Sequence, residues 1–431
     1  MRKFVYFLLG LVALVLVLML GAKVLSPVSS LQGEVANDEV LVQRGEYLAK
    51  AADCIACHTA PNGQAFAGGL AMPIPFLGQV YTSNITPDVQ TGLGQWTLAD
   101  FDRAVRHGIS KNNQPLYPAM PYVSYAKISD DDIKALFTYF RYEVEPVKQE
   151  QPNSDIAWPL NMRWPLQYWN LLFAPDKPYQ SKADKTPLWN RGAYLVQGLA
   201  HCGTCHTPRG LLMQEVALDE TGQGYLGGAM LGGWQAYNIT PAANAGIGRW
   251  SEEQLIQYFR SGNVANLAQA AGPMGEAVMH SFSQLTTDDL TAIATYIRTI
   301  PAVNDATTQA RTQWGKPGNA DIATRSRAVD SELNPQRLFL GACSSCHQAN
   351  GGGSSDGYYP GLLHNSTVGA ANANNLLQVI LHGVQRDQVS MPAFAQELSD
   401  AQIAALANYV IQQFGNPQTP LVTEKAVAAL R

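Results

Sequence analysis

Positive charge is scarce in this chain. Of 431 residues, 29 are Lys or Arg against 34 Asp or Glu, a formal net charge of -5, and only 15% are charged at all. Three of the bases, Arg2, Lys3 and Lys23, stand in the first 30 residues with no acid among them, so the remainder holds 26 bases against 34 acids. An acidic body excludes nucleic acid as a partner, because such binding is driven by Lys and Arg neutralising phosphates. Familiar catalytic signatures are missing too: there is no His-Glu-x-x-His and no Walker loop. The letters Gly222-x-Gly224-x-x-Gly227 match a dinucleotide fingerprint, but they follow Asp219-Glu220-Thr221 and run into further glycines, where no strand-to-helix turn is expected. Cysteine is scarce as well, at six residues, and none is spare.

All six cysteines fall in Cys54-Ile55-Ala56-Cys57-His58, Cys202-Gly203-Thr204-Cys205-His206 and Cys343-Ser344-Ser345-Cys346-His347. A structural zinc site requires four Cys/His ligands, which does not explain a histidine fixed after every second cysteine. A disulfide framework belongs to short chains without a core of their own. Cys-x-x-Cys-His is the attachment signature of c-type haem: two thiols bond to the porphyrin edge while the adjacent imidazole ligates the iron. The sequence thus predicts three covalently bound haem c groups on Cys54, Cys57, Cys202, Cys205, Cys343 and Cys346, with His58, His206 and His347 as proximal ligands.

Long apolar runs are confined to the N-terminus, where 19 uncharged residues from Phe4 to Ala22 follow two bases. As a helix this run covers about 28 Å, close to the hydrocarbon thickness of a bilayer. It reads as an uncleaved anchor or as a secretory signal, although the only small-residue cleavage sequence nearby, Val28-Ser29-Ser30, is a poor one. Either way Arg2 and Lys3 stay in the cytoplasm and the rest lies outside it, on the periplasmic side of the inner membrane. That exported setting suits haem attachment through thiols.

The chain repeats itself. Arg44-Gly45-Glu46-Tyr47-Leu48 and Arg191-Gly192-Ala193-Tyr194-Leu195 precede the first two haem motifs, and the degenerate Arg337-Leu338-Phe339-Leu340 precedes the third. Asn84-Ile85-Thr86-Pro87 and Gly92-Leu93-Gly94-Gln95-Trp96 recur as Asn238-Ile239-Thr240-Pro241 and Gly246-Ile247-Gly248-Arg249-Trp250, an insert the third copy lacks. Each copy then shows an apolar helix ending at Gly108, Gly262 or Gly383, where glycine relaxes a left-handed cap. A final helix opens at Ser129, Thr286 or Ser399 with acids or Gln in its first turn. The expected fold is all-α, with three tandem cytochrome c domains at 38–145, 186–302 and 329–416 behind an N-terminal apolar helix at 1–30. A Trp/Pro-rich linker at 146–185, a second linker at 303–328 and a tail at 417–431 complete the chain. Trp158, Trp164 and Trp169 make the first linker too apolar for a free tether.

A sixth iron ligand is expected between the last two helices, and Met is common there because its thioether favours reduced iron. Met120 and Met391 fit. In the middle copy Met274 and Met279 compete, and Met274 is preferred because it follows Ser261 by 13 residues as Met120 follows His107. His107 and His382 align with Ser261, which argues against a ligand role there. His201 has no counterpart in the other copies, and His280 and His364 read as loop residues. Trp96 and Trp250 read as walls of the haem pockets.

Taken together, Tyr81-Thr82-Ser83-Asn84-Ile85-Thr86-Pro87, Arg103-Ala104-Val105-Arg106-His107-Gly108, Leu116-Tyr117-Pro118-Ala119-Met120-Pro121-Tyr122, Trp158-Pro159-Leu160-Asn161-Met162-Arg163-Trp164 and Ala271-Gly272-Pro273-Met274 resemble one family. From about Arg44 to Asn416 the chain is similar to the tri-haem cytochrome c subunits of bacterial membrane-bound dehydrogenases acting on alcohols, gluconate, sorbitol or fructose. The resemblance implies a large dehydrogenase subunit carrying PQQ or flavin, transfer of its electrons to membrane ubiquinone, and no catalysis by this chain alone. It also implies Met120, Met274 and Met391 as distal ligands. The other readings are a partner cytochrome of a molybdenum hydroxylase-type dehydrogenase and an independent haem enzyme, which needs an open iron position.

Overall fold

Local capping chemistry starts most of the repeated helices. Ser129, Thr286 and Ser399 accept hydrogen bonds from the backbone N–H of Asp132, Asp289 and Gln402, opening helices Asp130–Tyr142, Thr287–Ile297 and Asp400–Phe414. Reciprocal capping boxes, Thr97 with Asp100 and Ser251 with Gln254, open Leu98–His107 and Glu252–Ser261. The N-terminal helices of the repeats are Glu39–Ala51, Pro187–Tyr194, which widens into a π turn over Leu195–Leu199, and Pro335–Ala342. These positions come from a computed structural model that describes residues 2–74, 77–175, 177–318, 333–386 and 389–431, the side chains of Leu8, Arg386 and Val389 aside. The expected start of the third domain at 329, and the second linker from 319 to 328, lie outside the described residues.

The final helices bury one face at the spacing an amphipathic helix requires, Ile133, Leu136, Phe137 and Phe140 in the first and Ile403, Ala407, Val410 and Phe414 in the third. In the first repeat Gly45 lets its helix touch the final helix backbone to backbone, since a Cβ there would overlap the Ala135 carbonyl oxygen. The third repeat has Leu338 at that position and fills the contact with Phe339, whose ring centroid lies 5.5 Å from Tyr409 and 5.2 Å from Phe414.

Two departures from expectation concern the loops. Among the described residues four short antiparallel hairpins join the helices: Ala71–Ile74 with Gly78–Tyr81, Ala229–Leu231 with Trp234–Ala236, Asn263–Val264 with Ala268–Gln269, and Val384–Arg386 with Val389–Met391. The fold is therefore predominantly helical with small β-ribbons. Gly108 and Gly262 take the expected left-handed cap, at φ 62° and 65°, but Gly383 has φ 73° and ψ -172°. Its role is close approach to the hairpin that follows, because a Cβ at Gly383 would sit 2.5 Å from the Met391 carbonyl oxygen.

The chain divides into two compact units, residues 1–204 and 205–431. The boundary falls inside the second Cys-x-x-Cys-His, so the first repeat belongs to one unit, the third to the other, and the second is shared. In the first unit the Trp/Pro-rich segment is ordered as helix Pro165–Phe173, with Gln167 and Asn170 buried beneath it. Tyr122 donates to Asn170 Oδ1 at 2.7 Å and Tyr117 to the Leu160 carbonyl oxygen at 3.1 Å, fastening this segment to the first repeat.

Candidate haem-attachment sites

Each Cys-x-x-Cys-His occupies a single helical turn, Cys54–Cys57, Cys202–His206 and Ser344–His347. Residues three apart share a helix face, so one turn presents both thiols of a pair to the same side. No disulfide joins any of the six cysteines. Burial, reinforced by Asp53 and Cys57, pushes the Cys54 thiol up to about 12, and burial with Cys346 pushes Cys343 up to about 11. Cys54 and Cys343 are thus held protonated.

The three imidazoles are arranged alike. His58 Nδ1 lies 2.7 Å from the Ser83 carbonyl oxygen, His206 Nδ1 2.6 Å from that of Tyr237, and His347 Nδ1 2.8 Å from that of Pro360. A carbonyl only accepts, so the Nδ1 proton is donated to it and Nε2 keeps the free lone pair. Burial lowers the pKa of all three rings below the usual imidazole value, keeping them neutral. A neutral ring turned by a backbone acceptor beside two cysteines fits covalent haem c with Nε2 on iron, the outer hydrogen bond fixing tautomer and orientation.

In the first two repeats that acceptor comes from the recurring Asn-Ile-Thr-Pro loop, because Ser83 and Tyr237 directly precede Asn84 and Asn238. The same loop clamps the chain leaving the final helix: Asn84 Nδ2 donates to the Val147 carbonyl oxygen at 2.7 Å, and Asn238 Nδ2 to that of Val303 at 2.7 Å. The Val147 and Val303 N–H groups return bonds to the hydroxyls of Thr86 and Thr240, at 3.1 and 3.0 Å. The glycines at 92 and 246 are part of the device, since a Cβ on either would overlap the carbonyl oxygen of Thr86 or Thr240. In the third repeat Asn365 Oδ1 accepts from the Thr367 N–H, but its amide donates to Gln269 Oε1 at 2.7 Å and not to the chain after its own final helix.

Of the candidate methionines Met120 lies in a turn, Met391 at the end of a strand, and Met274 and Met279 in a helix where a loop was expected. Met120 ends the Pro118-Ala119 turn before helix Tyr122–Tyr125. Met391 ends the strand Val389–Met391 and packs with Cys343 against one apolar cluster built on Phe339, Leu381 and Phe414. Met274 and Met279 occupy opposite ends of helix Gly272–His280. Five residues apart, they point about 140° from each other around the axis, so only one can face a given pocket. His280, His364 and His382 are exposed.

Two groupings escaped the sequence reading. His201, immediately before Cys202, is half-buried and edge-on to Tyr125 with centroids 5.6 Å apart, and Tyr125 donates to the Ala52 carbonyl oxygen at 2.8 Å, two residues before Cys54. Burial lowers the His201 pKa to about 4 against the smaller opposing effect of backbone carbonyls. In the second unit Arg311 lies over the Tyr237 ring at 4.1 Å and donates from Nη1 to the Ala245 carbonyl oxygen at 3.1 Å, placing a guanidinium behind the residue that orients His206. The equivalence of repeats could not reveal either group, because neither recurs.

Helical repeats that each turn a histidine beside a thiol pair define a c-type cytochrome, and comparison with known proteins agrees. Residues 40–140 and 331–410 match the family model of cytochrome c oxidase, cbb3-type, subunit III. Over 415 residues the chain is 43% identical to the gluconate 2-dehydrogenase cytochrome c subunit of Pantoea cypripedii, covering 94% of this chain and 92% of the relative. It is 43% identical to the fructose dehydrogenase cytochrome subunit of Gluconobacter japonicus, covering 90% and 82%, and 40% identical to the cytochrome c subunit of the alcohol dehydrogenase (quinone) of Gluconacetobacter polyoxogenes, covering 91% and 85%. The chain belongs to this family of dehydrogenase cytochrome c subunits, and its role is electron transfer.

Proposed function

We propose that this subunit takes electrons from a separate PQQ- or flavin-dependent dehydrogenase subunit and delivers them to ubiquinone in the inner membrane, from the periplasmic side. It holds three haem c groups for the purpose. Bound there, haem c supplies reversible one-electron iron chemistry. The cysteines at 54 and 57, 202 and 205, and 343 and 346 anchor the groups, and His58, His206 and His347 ligate on one side with Met120, Met274 and Met391 on the other. The observation that carries the reading is the shared geometry of the three imidazoles, each tied through Nδ1 to a main-chain oxygen beside a thiol pair. The helix Arg2–Val24 is the membrane anchor, and its side chains are exposed over nearly all its length.

Quinone reduction takes two electrons and two protons, whereas each iron carries one electron, so the chain acts as a relay and the proton chemistry belongs to the quinone site. Purified from detergent-solubilised membranes, the complex is expected to show three porphyrin masses on this chain and to bind no carbon monoxide rapidly when reduced. Met274→Ala should open one iron to carbon monoxide while Met279→Ala leaves all three closed. The opposite result would move the ligand to Met279, and fewer than three porphyrins would overturn the reading.

A further inference from the structure

Helix Pro165–Phe173 packs on the outer end of the N-terminal helix. Tyr168 donates its hydroxyl to the Leu18 carbonyl oxygen at 2.6 Å, and Gln167 Nε2 donates to the Leu25 carbonyl oxygen at 3.0 Å. The fit at Gly21 is close, since a Cβ there would lie 2.7 Å from the Tyr168 hydroxyl. Leu18, Gly21 and Ala22 are the only residues of the described N-terminal helix that are not exposed. Five residues of helix rise separate Leu18 from Lys23, about 7 Å. If Lys23 marks the headgroup level, Tyr168 reaches below it, and the helix that carries Tyr168 is drawn to the membrane surface.

The faces this helix and its approach leave uncovered are apolar. Leu171 is 61% exposed, Leu172 70% and Trp158 78%, with Leu160 and Met162 exposed beside them. Such a group is unusual on a surface facing water, and Trp with Leu is the composition of interfacial segments. Lys23 and Lys177 are exposed near its ends, suited to anionic headgroups. We infer that residues 158–173 form a second membrane contact, lying in the headgroup and upper acyl region of the same bilayer that the N-terminal helix crosses. This inference rests on the anchor reading above. It gives the first repeat a fixed approach to the membrane, where a lone anchor would leave it free to swing.

The test uses the full chain with its partner subunit, reconstituted into phosphatidylethanolamine and phosphatidylglycerol vesicles doped with a phospholipid carrying a diazirine high on its acyl chain. After illumination, adducts mapped by mass spectrometry are expected in residues 2–24 and in 158–173. Leu171→Glu with Leu172→Glu should lower the second set about tenfold and leave the first set and the haem absorption unchanged; both side chains are exposed, so folding is not at stake. Adducts at 2–24 alone would overturn the inference and leave the anchor standing. Adducts at 158–173 alone, on a chain beginning beyond residue 24, would support the contact and overturn the anchor. Protection of 158–173 by the dehydrogenase subunit, seen as a cross-link to that protein and no lipid adduct, would also overturn the inference.

Discussion

The first and third repeats solve the same problem with different materials. In the first, Gly45 brings two helix backbones together, an Asn-Thr clamp secures the exit of the final helix, and an edge-on His201–Tyr125 contact lies against the approach to its haem motif. In the third, the aromatic trio Phe339, Tyr409 and Phe414 fills the equivalent space, and the exit is held by Thr419, which donates to the Ala370 carbonyl oxygen at 2.7 Å. Yet each presents one imidazole to one main-chain oxygen in the same way. Packing is free to vary between copies provided the turn and its acceptor stay in register.

The largest way to break the comparison is to remove a thiol pair. Cys343→Ser with Cys346→Ser should remove one porphyrin from the mass of the mature chain, Cys54→Ser with Cys57→Ser should remove another, and each should leave the remaining two in place. Next is the helix contact. Gly45→Ala forces a methyl group into the Ala135 carbonyl and should cost about 3 kcal/mol in chemical unfolding followed by circular dichroism. Gly341→Ala, in the third repeat's first helix, meets nothing within 4 Å and should instead gain about 0.5 kcal/mol.

Acid distinguishes the two regions further. His201 has its pKa lowered from 6.5 to about 4 by burial, so the folded state keeps it neutral while the unfolded chain binds a proton. Its contribution is present above pH 6.5 and is lost as pH falls toward 4, about 3 kcal/mol in all. Urea titrations across that window should show a slope in the native protein that His201→Gln reduces by that amount, while the third repeat, with Ala342 before its motif, has no residue to replace at that position. The smallest effect sharpens the difference in exits. Asn84→Ala should weaken hydrogen-exchange protection around Val147 by about 2 kcal/mol, whereas Asn365→Ala should leave the segment at 416–419 protected.

How far the fold and its sites were legible depended on the distance over which each signal acts. The caps at Ser129, Thr286 and Ser399, and the left-handed glycines at 108 and 262, are decided within four residues and read correctly. Gly383 did not, because its conformation answers to Met391, eight residues on, across a hairpin whose strands are three residues each. The haem turns were plain from cysteine spacing. Their main-chain acceptors were not, since Ser83 lies 25 residues from His58 and Tyr237 lies 31 from His206. The Asn-Ile-Thr-Pro repeat was visible as letters, but its purpose was hidden in bonds to Val147 and Val303 more than 60 residues away. The aromatic first linker was recognised as too apolar to hang free, while its partner, the carbonyl at Leu18, stands 150 residues earlier.

Ser83, Tyr237 and Pro360 have no side-chain chemistry in common: one is a small alcohol, one a phenol, one an imino acid. What each lends to its histidine is the oxygen of the peptide unit, which every amino acid carries. No point substitution at those positions deletes the acceptor, so the tilt of each imidazole is inherited from the path of the chain, and losing it requires the loop itself to move.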